Sequence, residues 1–205
     1  SALNISNLNS IVYDSNANFF DTINRETQIF SAVRNNDIKS LYDFVSKGLN
    51  INTLNNKRET PLILAAKLDR TQMAIKIAEI SFWKPSVNLQ IEQLDIFSKN
   101  ALWYAIENRN IELVKSLLDR GASPRTLDFL SKIVNYPSCD QKKNELIELF
   151  IKKVSVYDSH VLKSIKLNHE ECFFKLIKYW EKQRKGSQSF YYSKESLNSF
   201  LKKAI

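Results

Sequence analysis

Ala32-Val33-Arg34-Asn35-Asn36-Asp37-Ile38-Lys39-Ser40-Leu41 sets a pattern that the rest of the chain repeats, running on to Phe44-Val45 and stopping at Gly48. Ala65-Ala66-Lys67-Leu68-Asp69 leads in the same way to Ala74 and Ile77-Ala78. Ala105-Ile106-Glu107-Asn108-Arg109-Asn110-Ile111-Glu112-Leu113-Val114 leads to Leu117-Leu118 and Gly121. Ala32 and Ala65 stand 33 residues apart and Ala105 follows 40 later, which implies a seven-residue insertion. Ser164-Ile165-Lys166-Leu167-Asn168-His169, followed by Phe173 and Leu176-Ile177, keeps the same nine-residue step from small to apolar residue. Between these lies a partial copy, with Leu146, Leu149-Phe150 and Lys153 at second-helix positions after a looser helix around residues 127–134.

The pattern has a physical reading. A small residue near the middle of a first helix lets the neighbouring helix pair approach closely, and a short polar stretch with Asn or Asp then turns the chain. The second helix carries apolar residues at steps of three and four, which form one stripe. No single pair buries both of its apolar surfaces, so the core comes from stacking. Ends need covering for the same reason. Phe19, Phe20, Ile23, Ile29 and Phe30 are expected in an amino-terminal capping helix. A carboxyl-terminal one is expected from Ser193 to Ala204, with Leu197, Phe200 and Leu201 on one side, after a Gly186-Ser187-Gln188-Ser189 linker.

Composition agrees. In 205 residues, 43% hydrophobic and 25% charged content is that of a folded, soluble chain. Three Gly and four Pro suit helices joined by tight Asn-rich turns rather than a β-sandwich. No run of about 18 apolar residues suggests a membrane span, and the opening SALNISNLNS lacks the basic and apolar regions of a signal peptide. Met73 is the only methionine, and Ser1-Ala2 reads as an appended dipeptide, so the chain is expected to be a piece of a longer protein. Two cysteines without a C-x-x-C pair make a disulfide framework unexpected and a reducing compartment the default. Residues 139–205 carry 14 Lys and Arg against 8 Asp and Glu and so supply most of the net charge of +8. A solvated helix surface with a basic tail accounts for that. Attraction to an acidic partner, anionic lipid or nucleic acid is the alternative.

Thr60-Pro61-Leu62-Ile63-Leu64-Ala65-Ala66 resembles the T-P-L-H-x-A-A opening of the ankyrin repeat, with Ile63 where His is usual, and Asn100-Ala101-Leu102-Trp103-Tyr104-Ala105-Ile106 resembles a degenerate version of it. Gly48-Leu49-Asn50-Ile51-Asn52 is similar to the family's G-A-x-V-N ending, and Gly121-Ala122-Ser123-Pro124 matches its first half. The resemblance covers about residues 26–180 and implies an all-α helical repeat solenoid of about five repeats, near 26–54, 55–94, 95–125, 126–157 and 158–180. Residues 1–25 would then be an amino-terminal segment and cap, and 181–205 a linker and capping helix. The second copy departs from the family by running into Ser81-Phe82-Trp83-Lys84-Pro85-Ser86-Val87 in place of a terminal Gly, and Asn135-Tyr136-Pro137-Ser138-Cys139-Asp140 interrupts the fourth. Repeats of this degenerate kind resemble those of bacterial effectors and poxvirus host-range proteins, and Asn- and Lys-rich usage suits an AT-rich genome.

Catalysis or metal binding would have to rest on two His and two Cys. His169 and Cys172 lie three apart on one predicted helix, but His169 falls where ankyrin repeats often place His, and Cys172 precedes apolar Phe173. Cys139 and His160 both lie near predicted loops, with no third group to orient them. The spacing 139, 160, 169 and 172 matches no zinc finger, and Gly48, Gly121 and Gly186 are too far apart for a phosphate loop. No catalytic residue, cofactor or metal is therefore expected.

The resemblance implies a protein partner docking on a concave face of hairpin tips and first helices. Carried over by position, the tips supply Asn56, Lys57, Arg58, Glu59, Ser98 and Lys99. The first helices supply Arg34, Asn35, Lys67, Leu68, Glu107 and Asn108. Tyr104 adjoins them with the makings of a hot spot. Trp103 reads as packing. Phe82 and Trp83 either fold back over the repeats or present an aromatic anchor. Tyr179, Trp180 and Phe190-Tyr191-Tyr192 read as cap packing. The expected function is a protein-interaction module, monomeric and cytoplasmic, of the effector type delivered into a host cell. The alternatives are a targeting domain of a larger enzyme, or a basic nucleic-acid or lipid surface.

Overall fold

The computed structural model describes Asn24 and residues 27–184, and every regular element among them is a helix. The chain divides into two compact units, one up to Ala101 and one from Leu102. The first holds α1 (residues 27–34), α2 (Ile38–Ser46), α3 (Pro61–Lys67), α4 (Thr71–Ala78) and the short α5 (Ile80–Trp83). The second holds α6 (Ala101–Glu107, which begins one residue before it), α7 (Ile111–Asp119), α8 (Phe129–Val134), α9 (Gln141–Ile151), α10 (Asp158–Lys166) and α11 (Glu170–Arg184).

Four helix pairs close in one way. The backbone N–H of Asp37 donates to Ala32 O at 2.8 Å, and those of Arg70, Asn110 and His169 donate to Ala65, Ala105 and Ser164, each at 2.9 Å. The acceptors are the same small residues that mark the sequence repeat, and all four are buried. The residue before each donor (Asn36, Asp69, Arg109 or Asn168) takes a left-handed φ of 54–55° and donates to the carbonyl three residues back. This double closure satisfies two carbonyls that would otherwise face no partner at the end of a first helix. The next helix can then start within two residues.

The second helices begin and end on local signals. Asp37 caps α2 by accepting from Ser40 N–H at 3.0 Å, and Asn110 caps α7 by accepting from Leu113 N–H at 3.0 Å. Gly48 and Gly121, at φ of 91° and 98°, follow α2 and α7 and let the chain turn back. The apolar stripes go inward: Leu41 and Val45 on α2, Met73, Ala74 and Ile77 on α4, Leu113, Val114 and Leu117 on α7. α3 is buried from Pro61 to Ala66, as a helix apolar on all sides must be. Thr60 caps it by accepting from Ile63 N–H at 3.1 Å, with Pro61 in its first turn.

The insertion in the second copy forms α5 followed by a loop that is anchored to the first copy. Asn52 donates from Nδ2 to Asn88 O at 2.8 Å and accepts from Gln90 N–H at 2.8 Å. The Trp83 indole donates to Lys76 O at 3.0 Å and meets Tyr42 edge-on at 4.6 Å. Of the two aromatics here, Trp83 therefore folds back, while Phe82 stays exposed.

The fourth pair, α8 and α9, lacks the left-handed turn. A buried lysine takes its place. Lys143 Nζ donates to Val134 O at 2.9 Å, to Tyr136 O at 2.9 Å and to His169 Nδ1 at 2.7 Å, which uses all three ammonium protons. The last carbonyl of α8 thus meets a cation at the negative end of the helix dipole. Around this network α7, α9 and α11 pack in succession and α8 packs on α10. Phe129 meets Phe150 at 5.7 Å between ring centroids, and Trp103 lies 6.3 Å from Phe129. Of the expected amino-terminal cap, Ile29 and Phe30 are buried, whereas Phe19, Phe20, Ile23, the 186–189 linker and the helix over 193–204 lie outside the described residues.

Two substitutions separate backbone closure from side-chain closure. Gly48→Ala should cost about 1–2 kcal/mol, the price of a left-handed L-residue, because a Cβ there meets nothing within 4 Å. Lys143→Met should cost more, about 2–4 kcal/mol, because buried acceptors lose their donor. Urea denaturation of both variants checks the order, and a larger loss for Gly48→Ala would show that Lys143 does not hold the fourth turn.

Candidate partner-binding surface

Two hairpin tips in the first unit are built alike, forty residues apart in sequence. In the first, Asn55 Oδ1 accepts from Lys57 N–H at 3.0 Å and Glu59 N–H at 2.9 Å, while Arg58 N–H donates to Asn55 O at 2.9 Å. In the second, Asp95 Oδ1 accepts from Phe97 N–H at 2.9 Å and Lys99 N–H at 3.0 Å, while Ser98 N–H donates to Asp95 O at 3.0 Å. Arg58 and Ser98 both adopt φ of 57°. A side-chain oxygen that caps its own turn is the usual way Asn and Asp fix a tight loop. The tips are joined by Ile96 N–H donating to Lys57 O at 3.0 Å.

A buried carboxylate fastens this loop to the first helix of its repeat. Glu59 is 3% exposed, accepts from Lys67 Nζ at 2.5 Å and from Asn55 Nδ2 at 2.8 Å, and so ties the tip to the end of α3. Lys67 Nζ also lies 6.0 Å from the centre of the Phe97 ring. With Glu59 and Asp95 buried in structural roles, Asn56, Lys57, Arg58 and Ser98 remain exposed on the tips and Lys99 half-buried. Two neighbours are apolar: Ile96 is 52% and Phe97 58% exposed, and Leu68 stands open at the end of α3. Ile96 and Phe97 occupy the tip positions of Asn56 and Lys57, and sequence reading passed over them. The signal was there, since two consecutive apolar residues at a polar loop tip have no core to enter.

The other expected contact residues fall in several places. Arg34 and Asn35 are exposed at the end of α1, where the Arg34 carbonyl accepts from Arg70 Nη2 at 3.0 Å. In the second unit Glu107 and Asn108 are exposed, and Glu107 pairs with Lys132 at 3.0 Å. Three residues turn inward. Tyr104 is 4% exposed and cannot present its ring to a partner, Glu59 is the buried clamp, and Trp83 packs on Tyr42. Tyr104 lies one turn before Glu107 and Asn108 on the same side of the helix, and burial of that part of α6, not its register, withdraws the ring.

In the second unit Arg109 pairs with Asp140, the cap of α9, and holds its carboxyl down to about 2. Tyr136 donates its hydroxyl to Ile106 O, and burial pushes that hydroxyl above its ordinary range. His160 does not meet Cys139. It accepts on Nδ1 from Tyr157 N–H at 3.0 Å, which leaves Nε2–H to face Ser131 Oγ at 3.0 Å, and so it serves the start of α10. Burial lowers its pKa despite the neighbouring Asp128 carboxylate. Two cations of the basic third form ion pairs, Lys175 with Glu148 at 2.5 Å and Arg184 with Asp158 at 2.6 Å. Trp180 is buried, as expected, while Phe190-Tyr191-Tyr192 lies outside the described residues.

Cys139, His169 and Cys172, which spacing alone set aside as a metal site, come together with candidate ligand atoms within 4.8 Å of one another. The imidazole does not fit that role. His169 Nδ1 accepts from Lys143, and Nε2–H donates to Pro137 O at 3.1 Å, so neither nitrogen is left for an ion. What remains is a pair of thiols. No helix among the described residues is long and apolar enough to cross a membrane.

Residues 29–128 match the family model for ankyrin repeats, in three copies. No curated protein sequence matches the chain. Among solved structures, the human ASB11 ankyrin repeat domain superposes with a TM-score of 0.55 at 14% identity, covering 73% of this chain and 67% of that one. An ankyrin repeat domain from Acinetobacter baumannii gives 0.48 at 13% identity, covering 75% of this chain and 98% of that one. The helix-pair closure and the family match converge, and residues 29–128 of the chain are ankyrin repeats.

Proposed function

We propose that this chain binds a protein through the tip side of its first unit, with Ile96 and Phe97 as apolar anchors. Ankyrin repeats are generally protein–protein interaction modules, and theirs is a non-catalytic interaction fold. Lys57, Arg58, Lys67 and Lys99 supply the surrounding charge. The observation that carries this reading is an exposed aromatic beside a lysine on tips already fixed by Asn55 and Asp95. A loop ordered before binding loses less entropy on docking, and an aromatic among cations is a composition that concentrates binding energy. Because the acids of the tips are buried, the complement is a partner segment with an apolar side chain flanked by Asp or Glu. Arg34, Asn35, Asn56, Leu68 and Ser98 form the remaining contact set in the first unit. We extend the proposal to a host-cell protein as the partner, which Asn- and Lys-rich usage supports.

The test is capture from eukaryotic lysate by wild type beside Phe97→Ala and Arg58→Glu, read by mass spectrometry and followed by affinity measurement on the enriched protein. Phe97→Ala should weaken binding about tenfold or more, as a hot-spot truncation does, with helicity and melting temperature unchanged. Arg58→Glu should weaken it most at low salt, where exposed charges are least screened. Unchanged affinity for both variants would move the site away from the tips.

A further inference from the structure

The second unit contains two cysteines whose positions nothing in the interaction reading uses. Cys139 is exposed on the loop between α8 and α9, and Cys172 is buried on the first turn of α11. Their sulfurs lie 3.1 Å apart across 33 residues of sequence. We propose that Cys139 and Cys172 form a thiol-modification site that a small-molecule disulfide converts to an internal disulfide bond.

Geometry supports closure. A disulfide needs its sulfurs at about 2.05 Å, so each has about half an ångström to move, and the loop carrying Cys139 is the exposed partner. The Cys172 S–H donates to Asn144 Oδ1 at 3.5 Å, which turns a sulfur lone pair toward Cys139. Asn144 is itself held by donating to Glu171 Oε2 at 2.8 Å. The oxidant has a route in. An open cleft of about 300 Å³ reaches Cys139 and is lined also by Asp140, Asn144, Glu145, Glu148 and Glu171. Four carboxylates stand against the one ammonium of Lys175, which pairs with Glu148 and Glu171, and this balance favours a cationic disulfide over an anionic one.

The two sulfurs differ in a way that sets the order of events. Burial pushes the Cys172 thiol up to about 12, with Cys139 adding to the rise and the Lys143 ammonium opposing it. Exposed Cys139 is therefore the sulfur that reacts first. It loses its proton and attacks one sulfur of the external disulfide, expelling one thiolate and forming a mixed disulfide. Cys172 then gives up its proton, attacks Cys139 Sγ and expels the second thiolate. Two protein S–H bonds are lost and one S–S bond is gained, while the external disulfide accepts two electrons and two protons to become two thiols. Sulfurs already in contact make the second step effectively unimolecular, which offsets the reluctance of Cys172 to ionise. The product fastens the loop that carries Asp140, cap of α9 and partner of Arg109, to α11.

The full chain is treated with cystamine at neutral pH, remaining thiols are alkylated, and intact mass and peptide maps are recorded. The expected product has lost two hydrogens and both alkylation sites at once. Its rate of formation should be independent of protein concentration, and dithiothreitol should reverse it. Its melting temperature should exceed that of the reduced chain. Cys139→Ser should melt like wild type when reduced and retain an unmodified Cys172 through the same treatment. A stable mixed disulfide on Cys139, chains linked only in pairs, or two thiols that survive cystamine in the native chain but not in urea would each overturn the proposal. Retention of one zinc per chain through desalting, with both thiols unreactive, would overturn it as well.

Discussion

The turn that closes four of the first helices is the constraint on which the rest of this chain depends. It must reverse the chain within two residues and still leave no buried carbonyl without a donor. The solution is a backbone N–H reaching five residues back to a small residue, with a left-handed residue between. Holding an L-residue in that conformation costs about 1–2 kcal/mol. The chain accepts it at Asn36, Asp69, Arg109 and Asn168 because the alternative is a longer loop and a second helix that starts in the wrong place. With the turn fixed, the following helix begins on cue, its apolar stripe faces inward, and its end sets where the next hairpin tip emerges.

Where the constraint is relaxed, chemistry of a different kind fills in. The α8–α9 connection replaces a backbone closure with the Lys143 ammonium, buried and matched to three neutral acceptors. A buried cation is tolerable only when every proton is used, which ties Tyr136, His169 and the end of α8 into one arrangement. Burial lowers the pKa of Lys143, but the three acceptors hold the protonated form in place. The same irregular loop carries Cys139 to Cys172 and Asp140 to Arg109. The most degenerate repeat is thus the one with the most side-chain chemistry.

The hairpin tips show how burial edits surface charge. Read as a string, the tip Asn56-Lys57-Arg58-Glu59 looks balanced in sign. In the fold, Glu59 is withdrawn to clamp Lys67 and Asn55, and Asp95 is withdrawn to cap its own loop. What faces outward is cationic and apolar. The electrostatic character of the surface comes from which acids the loops use internally, not from the count of charges.

The sequence by itself determined everything that depends on reach within about ten residues. The small residue and the turn five positions later, the caps at Asp37, Thr60 and Asn110, and the glycines after α2 and α7 are local hydrogen-bond problems. Residue type and spacing solve them, which is why the family was legible in Thr60-Pro61-Leu62 and its relatives. Only the tertiary structure decided what lies between repeats. Tyr104 is buried, Ile96 is exposed, and Trp83 folds onto Tyr42, a contact between residues 41 apart in sequence that no local pattern sets. Cys139 and Cys172, like Lys143 and His169, meet across distances in sequence that no local period encodes. Periodicity specifies each helix pair, and the stacking of pairs specifies which side chains share a space.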